Sequence, residues 1–371
     1  KKKVTLEFVA AIIQKGIEKG MFGFSYFQEL FAEYIKVASP NDVRSIGSSV
    51  VDHSIHMLST RAGTCVVAAC AGYGTAKDRK RIMKSLKGYT RSSLLHRDAY
   101  LAILRLIQVT DDTVALHKSV LAEILTDPTS KEDKGGGDEE EKSSKSSLLE
   151  LALNENASKL FLLLLVPQQE NRQKYLDPFE RAVLTLNPTI TEAGQEVPTS
   201  RKNPETRRKE LMVYLRQPLI QMCVDHSEEL LGSLPGARVF KEVYAAYRPR
   251  ELVNVATAIC QKSVEKESGA LFEDQIKHYS IKNLILCDSA GNRGDASALF
   301  SETFFAKMKA SLEIVGQSNR GAFVLTALCK VDSIRSDVID QLKKHKKTFQ
   351  KLQKKAAGSS AGFQALLNEI G

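Results

Sequence analysis

What this 371-residue chain lacks narrows it first. Its six cysteines (Cys65, Cys70, Cys223, Cys260, Cys287 and Cys329) form no CxxC pair, and none stands with a histidine at zinc-finger spacing. Most lie inside apolar helical patterns such as "VVAAC" and "ATAIC". They read as small core residues of a reducing compartment, which argues against disulfides. No apolar run approaches the roughly 18 residues that a membrane span needs; "KLFLLLLV" is the longest. HExxH, GxSxG and Walker motifs are missing, and clustered carboxylates of the kind a nuclease or other hydrolase needs are not evident. The seven histidines (His53, His56, His96, His117, His226, His278 and His345) show no partner spacing, so no enzyme, metal centre or cofactor is expected. His53 and His56, three apart on one helix, fit packing or capping better than metal. "SAGNRGDAS" (289–297) has glycines but neither the lysine nor the preceding strand of a phosphate loop, and reads as a loop between helices. The opening "KKKVTLEFVAAIIQKG" is basic, but its apolar run is amphipathic and no small-residue cleavage site follows, so no secretory signal is expected. The missing initiator Met suggests a fragment or processed form.

What is present points to helices and an anionic partner. The chain is 43% hydrophobic and 26% charged, without Trp, and carries a formal net charge of +9. Phosphate backbones are the commonest partners of such a surplus, because each Lys or Arg contact releases condensed counterions. In "KRIMKSLKGYT" and "HKSVLAEIL" apolar residues recur three and four apart, the helical period, and strand-like alternation is scarce. Pro and Gly punctuate between helices in "ASPND", "LTDPTS", "LNPT" and "LPGAR". Two segments break the pattern. "TSKEDKGGGDEEEKSSKSS" (129–147) is charged and Gly/Ser-rich, and predicts a disordered loop. Residues 167–204, with Pro167, Pro178, Pro188, Pro198 and Pro204, predict a long irregular insertion. The expected division is therefore helical repeats over 1–128, the loop over 129–147, and further repeats over 148–371 containing the insertion.

One local pattern recurs: a small or polar residue followed by an apolar helix. It appears in "AGTCVVAAC", "DAYLAILRLI", "NASKLFLLLL", "PGARVFKEVY", "KHYSIKNLIL" and "RGAFVLTALC". Spacings of roughly 35 to 45 residues, with several helices per unit, are the signature of stacked helical repeats. "GTCVVAACAGYGTAKDRKRIMKSLKG" resembles a Pumilio (PUF) repeat followed by the first helix of the next. "HMLSTRAG", "GYGTAKDRK" and "SNRGAFVLTALC" resemble the Puf-A branch, nucleolar Pumilio-like proteins with a Penguin-like C-terminal region. The resemblance runs along essentially the whole chain and places it as the C-terminal part of such a protein. It implies an all-α, right-handed, L-shaped solenoid of degenerate Pumilio (armadillo-like) repeats. It also implies binding of single- and double-stranded nucleic acid with little sequence preference, in precursor ribosomal RNA processing and large-subunit assembly.

In a sequence-reading PUF repeat the second helix shows five residues to the concave face. The first and fifth bond a base edge, and the second stacks between bases. The positions here are Thr64, Cys65, Ala68; Tyr100, Leu101, Leu104; Ser158, Lys159, Leu162; Ala237, Arg238, Lys241; His278, Tyr279, Lys282; and Ala322, Phe323, Thr326. No set holds a complete edge-reading pair, and only Arg238, Tyr279 and Phe323 put a planar group in the stacking seat. The expected RNA contacts are Arg97, Lys159, Arg238, Lys241, His278, Tyr279, Lys282, Arg320 and Phe323, holding the backbone without a base code. A secondary basic patch is expected on "KDRKRIMKSLK", from Lys77, Arg79, Lys80, Arg81, Lys84 and Lys87, on a convex side or edge. "RRK" (Arg207, Arg208, Lys209) is a weaker candidate, opposed by the positive end of its helix. The lysine-rich tail "KKHKKTFQKLQKK" would add non-specific phosphate affinity or serve nuclear import. The expected partners are precursor ribosomal RNA, DNA and pre-ribosomal assembly proteins, with no membrane, for a monomer of the nucleolus or nucleus. The alternative is an armadillo-like scaffold that takes an acidic peptide or ribosomal protein.

Overall fold

The computed structural model describes residues 2–126, 147–167, 172–184, 187–265, 269–289, 299–356 and 358–371. Short helices joined by tight turns account for nearly all of it, and the chain forms two compact units, Lys1–Arg216 and Gln217–Gly371. The division falls after the 167–204 insertion, because the insertion packs onto the helices that precede it. Most of the low-complexity segment read as a disordered loop (129–147) lies outside the described residues; its last residue, Ser147, already opens the helix Ser147–Leu153.

In the first unit the helices Ser25–Val37, Arg61–Tyr73 and Tyr100–Val109 stack in chain order, with Pro40–Gly47 and Ala76–Ser85 packed against the middle one. Ser147–Leu153 and Ser158–Leu165 follow. The second unit stacks Leu234–Tyr247, Lys277–Ser289, Asn319–Leu328 and Ala361–Ile370, while Arg250–Glu265 and Phe300–Met308 pair as first helices. Each core is the shared apolar side of these pairs. Phe31, Val66, Ile103 and Phe161 are fully buried in the first unit; Phe240, Ile281, Phe304 and Val324 are in the second.

Six of the stacked helices begin with one device. A side chain three residues back accepts a backbone N–H, satisfying a donor that has no intrahelical partner. Thr60, Ser233 and Ser318 hydroxyls accept from Gly63, Gly236 and Gly321 at 3.0, 3.1 and 2.9 Å. His96 Nδ1, Asn154 Oδ1 and Asp274 Oδ1 accept from Ala99, Ala157 and Lys277 at 3.2, 3.0 and 2.8 Å. The residue after each bonded N–H is the first position of its pentad: Thr64, Tyr100, Ser158, Ala237, His278 or Ala322. The cap therefore sets which side chains face outward. In the three hydroxyl-capped repeats the bonded residue is glycine for lack of room. A Cβ on Gly63 would lie 2.0 Å from the Met57 carbonyl oxygen, and one on Gly321 would lie 1.8 Å from that of Val315.

The insertion is more regular than its prolines suggest. It contains a helix, Pro178–Leu184, and an antiparallel hairpin of β1 (Thr189–Glu192) and β2 (Gln195–Pro198), with Ile190 opposite Val197. The turn residues Ala193 (φ 49°) and Gly194 (φ 79°) are both left-handed, the form that matches strand twist in a two-residue hairpin. Asn41 clamps this hairpin to the first unit. Its amide donates to the Thr191 carbonyl at 2.8 Å and its Oδ1 accepts from the Thr191 N–H at 2.9 Å.

Replacing a helical glycine by alanine ordinarily gains about 1 kcal/mol, but overpacking costs about 1–3 kcal/mol. Gly63→Ala and Gly321→Ala are therefore expected to lower Tm, whereas Gly23→Ala, which opens onto free space, is expected to hold or raise it. Ala193→Asn is expected to raise Tm, by roughly 0.5–1 kcal/mol of stability, since Asn tolerates the left-handed region that alanine resists. Thermal denaturation of the variants checks both.

Candidate nucleic-acid interface

The pentad positions of the two units have different surroundings. In the second unit, Arg238, Tyr279 and Phe323 occupy the second position of successive repeats, and Lys241, Lys282 and Thr326 the fifth. Tyr279 is exposed, while Arg238, Lys241, Lys282 and Phe323 are half-buried along the same ladder. The Lys282 ammonium lies 5.0 Å from the Tyr279 ring centre and 5.9 Å from that of Phe323, within cation–π range of both. Lys241 Nζ is held 2.5 Å from Glu242 Oε1. Arg320 is exposed and donates to the Glu273 carbonyl at 2.8 Å. His278 Nδ1 donates to the Asp274 carbonyl at 2.6 Å. Burial, assisted by the nearby Arg320 and Lys282 charges, holds the His278 pKa below its ordinary value, so its imidazole is neutral at pH 7. Three of the six edge positions cannot read a base: Ala237 and Ala322 are buried methyl groups, and the Thr326 hydroxyl is spent on the Ala322 carbonyl at 2.8 Å. This face brings together Arg238, Lys241, His278, Tyr279, Lys282, Arg320 and Phe323 of the expected set.

In the first unit the equivalent positions are filled. Tyr100, Leu101, Leu104, Ser158, Lys159 and Leu162 are all buried. Lys159 does not project toward a ligand. Its ammonium sits 2.5 Å from Glu180 Oε1, with the carboxylate fully buried, and the Tyr100 hydroxyl donates to the same oxygen. Burial first, and then Glu180, push the Tyr100 hydroxyl pKa up. Glu180 comes from the insertion, and beside it the Arg61 guanidinium stacks 4.1 Å from the centre of the Phe179 ring. Arg97 is highly exposed and lies 3.0 Å from Asp98, whose other oxygen is 3.7 Å from Arg61.

The secondary patch also loses a member. Arg79 is 2% exposed and donates to the carbonyls of Ala71, Gly72 and Thr199, so it ties the insertion to the repeats and presents no surface charge. Burial pulls its guanidinium down to about 10, still protonated at neutral pH. Arg81 bridges Asp52 at 2.5 Å and Asp78 at 3.3 Å, and Lys80 pairs with Asp112 at 3.0 Å. Lys77, Lys84 and Lys87 are exposed. Two of the "RRK" residues are internal: Arg207 bonds Asp111 and the Gln108 carbonyl, and Arg208 bonds Glu205 and the Leu164 carbonyl. His53 stacks on Phe22 with ring centres 4.0 Å apart. Among the described residues no His, Cys, Asp and Glu cluster could hold a metal, and no helix is long and apolar enough to cross a membrane. A cavity of about 320 Å³ between the insertion and the helices Tyr100–Val109 and Ser158–Leu165 has an apolar floor that includes Leu104, Leu160 and Leu163. Its lining also includes Arg105, Arg172, Lys202 and Arg207, and among the described residues no Asp, Glu, His or Cys lines it.

Signals for what sequence reasoning missed were present but local. "TITEAGQEVP" alternates about a two-residue turn, the mark of a hairpin. "DPFE" begins with an Asp and ends with a Glu three residues on, a capping pair: Asp177 N–H donates to Glu180 Oε2 at 2.7 Å, and Glu180 N–H donates to Asp177 Oδ1 at 2.8 Å.

This geometry, two ladders of capped helices with degenerate pentads, defines a Pumilio-type α-helical repeat fold. Residues 153–295 match the CPL (NUC119) domain family. The chain is 23% identical over 355 residues to Pumilio homolog 3 of Danio rerio, an alignment covering 93% of this chain and 51% of that protein. It is 22% identical over 350 residues to Pumilio homology domain family member 6 of Schizosaccharomyces pombe, covering 91% and 50%. The chain thus spans about half the length of the curated relatives it matches. Among solved structures, human Puf-A in complex with DNA superposes with a TM-score of 0.76 at 19% identity, covering 99% of this chain and 67% of that one. The Puf4 RNA-binding domain bound to an HO endonuclease 3′ UTR sequence superposes with a TM-score of 0.58 at 11% identity, covering 94% and 84%. The chain therefore has the fold of Pumilio-type helical repeats and is similar to Puf-A and to the Pumilio homologues, with the CPL (NUC119) match confined to residues 153–295.

The insertion's attachment is pH-sensitive at Asp111. Burial raises the pKa of this carboxylate. Bonds from the Ser200 hydroxyl (2.6 Å), the Arg201 N–H (2.8 Å) and Arg207 (2.7 Å) outweigh burial and hold it at about 2, against 3.8 ordinarily. A depressed carboxylate stabilises the fold above its unfolded pKa and loses that contribution as pH falls through the folded one. Asp111→Asn is therefore expected to lower stability at pH 7 and to reduce the loss of stability between about pH 4 and pH 2, checked by urea unfolding across that range.

Proposed function

We propose that this chain binds RNA by its phosphate backbone, without a base code, through the second-unit face. The observation that carries this is the row of Lys241 and Lys282 beside the row of Arg238, Tyr279 and Phe323, while Ala237, Ala322 and Thr326 are buried or spent, so that no repeat holds a complete edge-reading pair. A cation poised over two rings offers phosphate contact and sequence-tolerant stacking together, since every base has a π face. The similarity to Pumilio-type proteins, including neighbours solved with RNA and with DNA, supports the same reading. The finer assignment is a non-enzymatic, monomeric role in precursor ribosomal RNA processing and large-subunit assembly, in the nucleolus and alongside pre-ribosomal assembly proteins. It follows the family resemblance.

Protein binding by the same scaffold is the second reading. It is favoured by one observation: the first unit already holds a segment of its own chain through the Glu180 carboxylate at Lys159 and the Phe179 ring under Arg61.

Fluorescence anisotropy with a labelled RNA oligonucleotide separates them. The variant combines Arg238→Glu, Lys282→Glu and Lys241→Gln; glutamine is used at the last position because a carboxylate there would face Glu242. It is expected to weaken binding by about tenfold or more and to flatten the salt dependence, while base substitution in the RNA changes little. Unchanged affinity overturns the assignment, and preferential binding of an acidic peptide favours the scaffold.

A further inference from the structure

The insertion meets the first unit where a nucleotide would. Tyr100 is a first-position and Lys159 a second-position residue of successive pentads, and both bond Glu180 Oε1. Arg61, on the cap turn just before Thr64, covers the face of Phe179, the residue preceding that glutamate. A planar ring under a guanidinium, next to an anionic acceptor held by a hydroxyl and an ammonium, reproduces the two chemistries a nucleotide brings: a π face and an anionic oxygen.

The attachment is built along its length. Leu176, Leu184 and Ile190 are buried, Asp111 takes Ser200 and the Arg201 N–H, Arg79 reaches Thr199, and Asn41 clamps Thr191. Stripping either partner from a buried ion pair leaves an uncompensated charge, so the Lys159–Glu180 contact resists opening.

We propose that residues 172–184 and 187–204 are an intramolecular nucleotide mimic that permanently occupies the reading face of the first unit and closes it to nucleic acid. The mimic makes the two units unequal: one face is spent internally and the other is open. The proposal rests on the reading above only in that RNA is the probe.

Hydrogen exchange of the unaltered protein, with and without a uridine oligonucleotide, gives the first test. Protection is expected to rise over 237–247 and 277–289 and to stay unchanged over 100–109 and 172–184. Faster exchange over 172–184 together with new protection over 100–109 would mean that RNA displaces the segment, which overturns a permanent occupant. The second test releases the mimic with Phe179→Ala and Glu180→Gln together. Exposure of Lys159, beside the already exposed Arg61, is expected to tighten oligonucleotide binding about threefold or more. A folded release variant with unchanged affinity, while the second-unit charge variant still weakens binding, overturns the mimic alone. If the unaltered protein binds no RNA, the proposed function fails, and binding gained on release still supports the mimic. If the release variant does not fold, the exchange result decides.

Discussion

The fold depends on one corner repeated along the chain: an acceptor side chain and a backbone N–H three residues on, with no room for a side chain at the bonded residue where the cap is a hydroxyl. Because the pentad starts at the next residue, this corner sets both the start of the stacked helix and the rotation at which its side chains emerge. Where the cap is a hydroxyl, the preceding short helix ends with a carbonyl oxygen against the glycine, at Met57, Leu230 and Val315. Where the cap is His96, Asn154 or Asp274, the ring nitrogen or carboxamide or carboxylate oxygen does the same work without demanding glycine. All six repeats have the corner while their reading positions differ in residue type, which is consistent with the corner being a condition of folding and the code not.

On that common frame the two units spend their outward positions differently. In the first, Tyr100 and Lys159 are saturated by one short segment, Arg61 lies over its Phe179 ring, and the pentad leucines are covered. In the second, cations and rings stand half-buried or exposed, and Lys282 spans two repeats by lying between Tyr279 and Phe323. A charge so placed is held by packing and does not depend on a salt bridge, so it keeps its position when a phosphate arrives.

The fold class and the repeat boundaries were legible in the sequence because both are local: helical periodicity and the Ser/Thr–x–x–Gly corner act within a dozen residues. The six pentads could be placed for the same reason. The fate of individual charges was not legible. Lys159 and Arg79 look like any lysine and arginine of an amphipathic helix, and nothing within their own helices announces that Glu180 or Thr199 will cover them. Burial of a charge is decided by its partner, and here the partners sit on a proline-rich stretch whose order comes from docking. Even so, the hairpin turn at Ala193–Gly194 and the paired Asp177 and Glu180 were written locally.

The loss of edge-reading groups in the second unit has a physical corollary. A base code needs donors and acceptors that are fixed yet unspent, and each costs desolvation unless a base satisfies it. Ala237 and Ala322 avoid that cost by packing, and Thr326 avoids it by bonding its own helix. The groups that remain outward, Arg238, Lys241 and Lys282, are cations with water always available as a substitute partner. A face built this way carries little penalty when empty and holds many sequences with similar strength, because its contacts are to what every nucleotide shares.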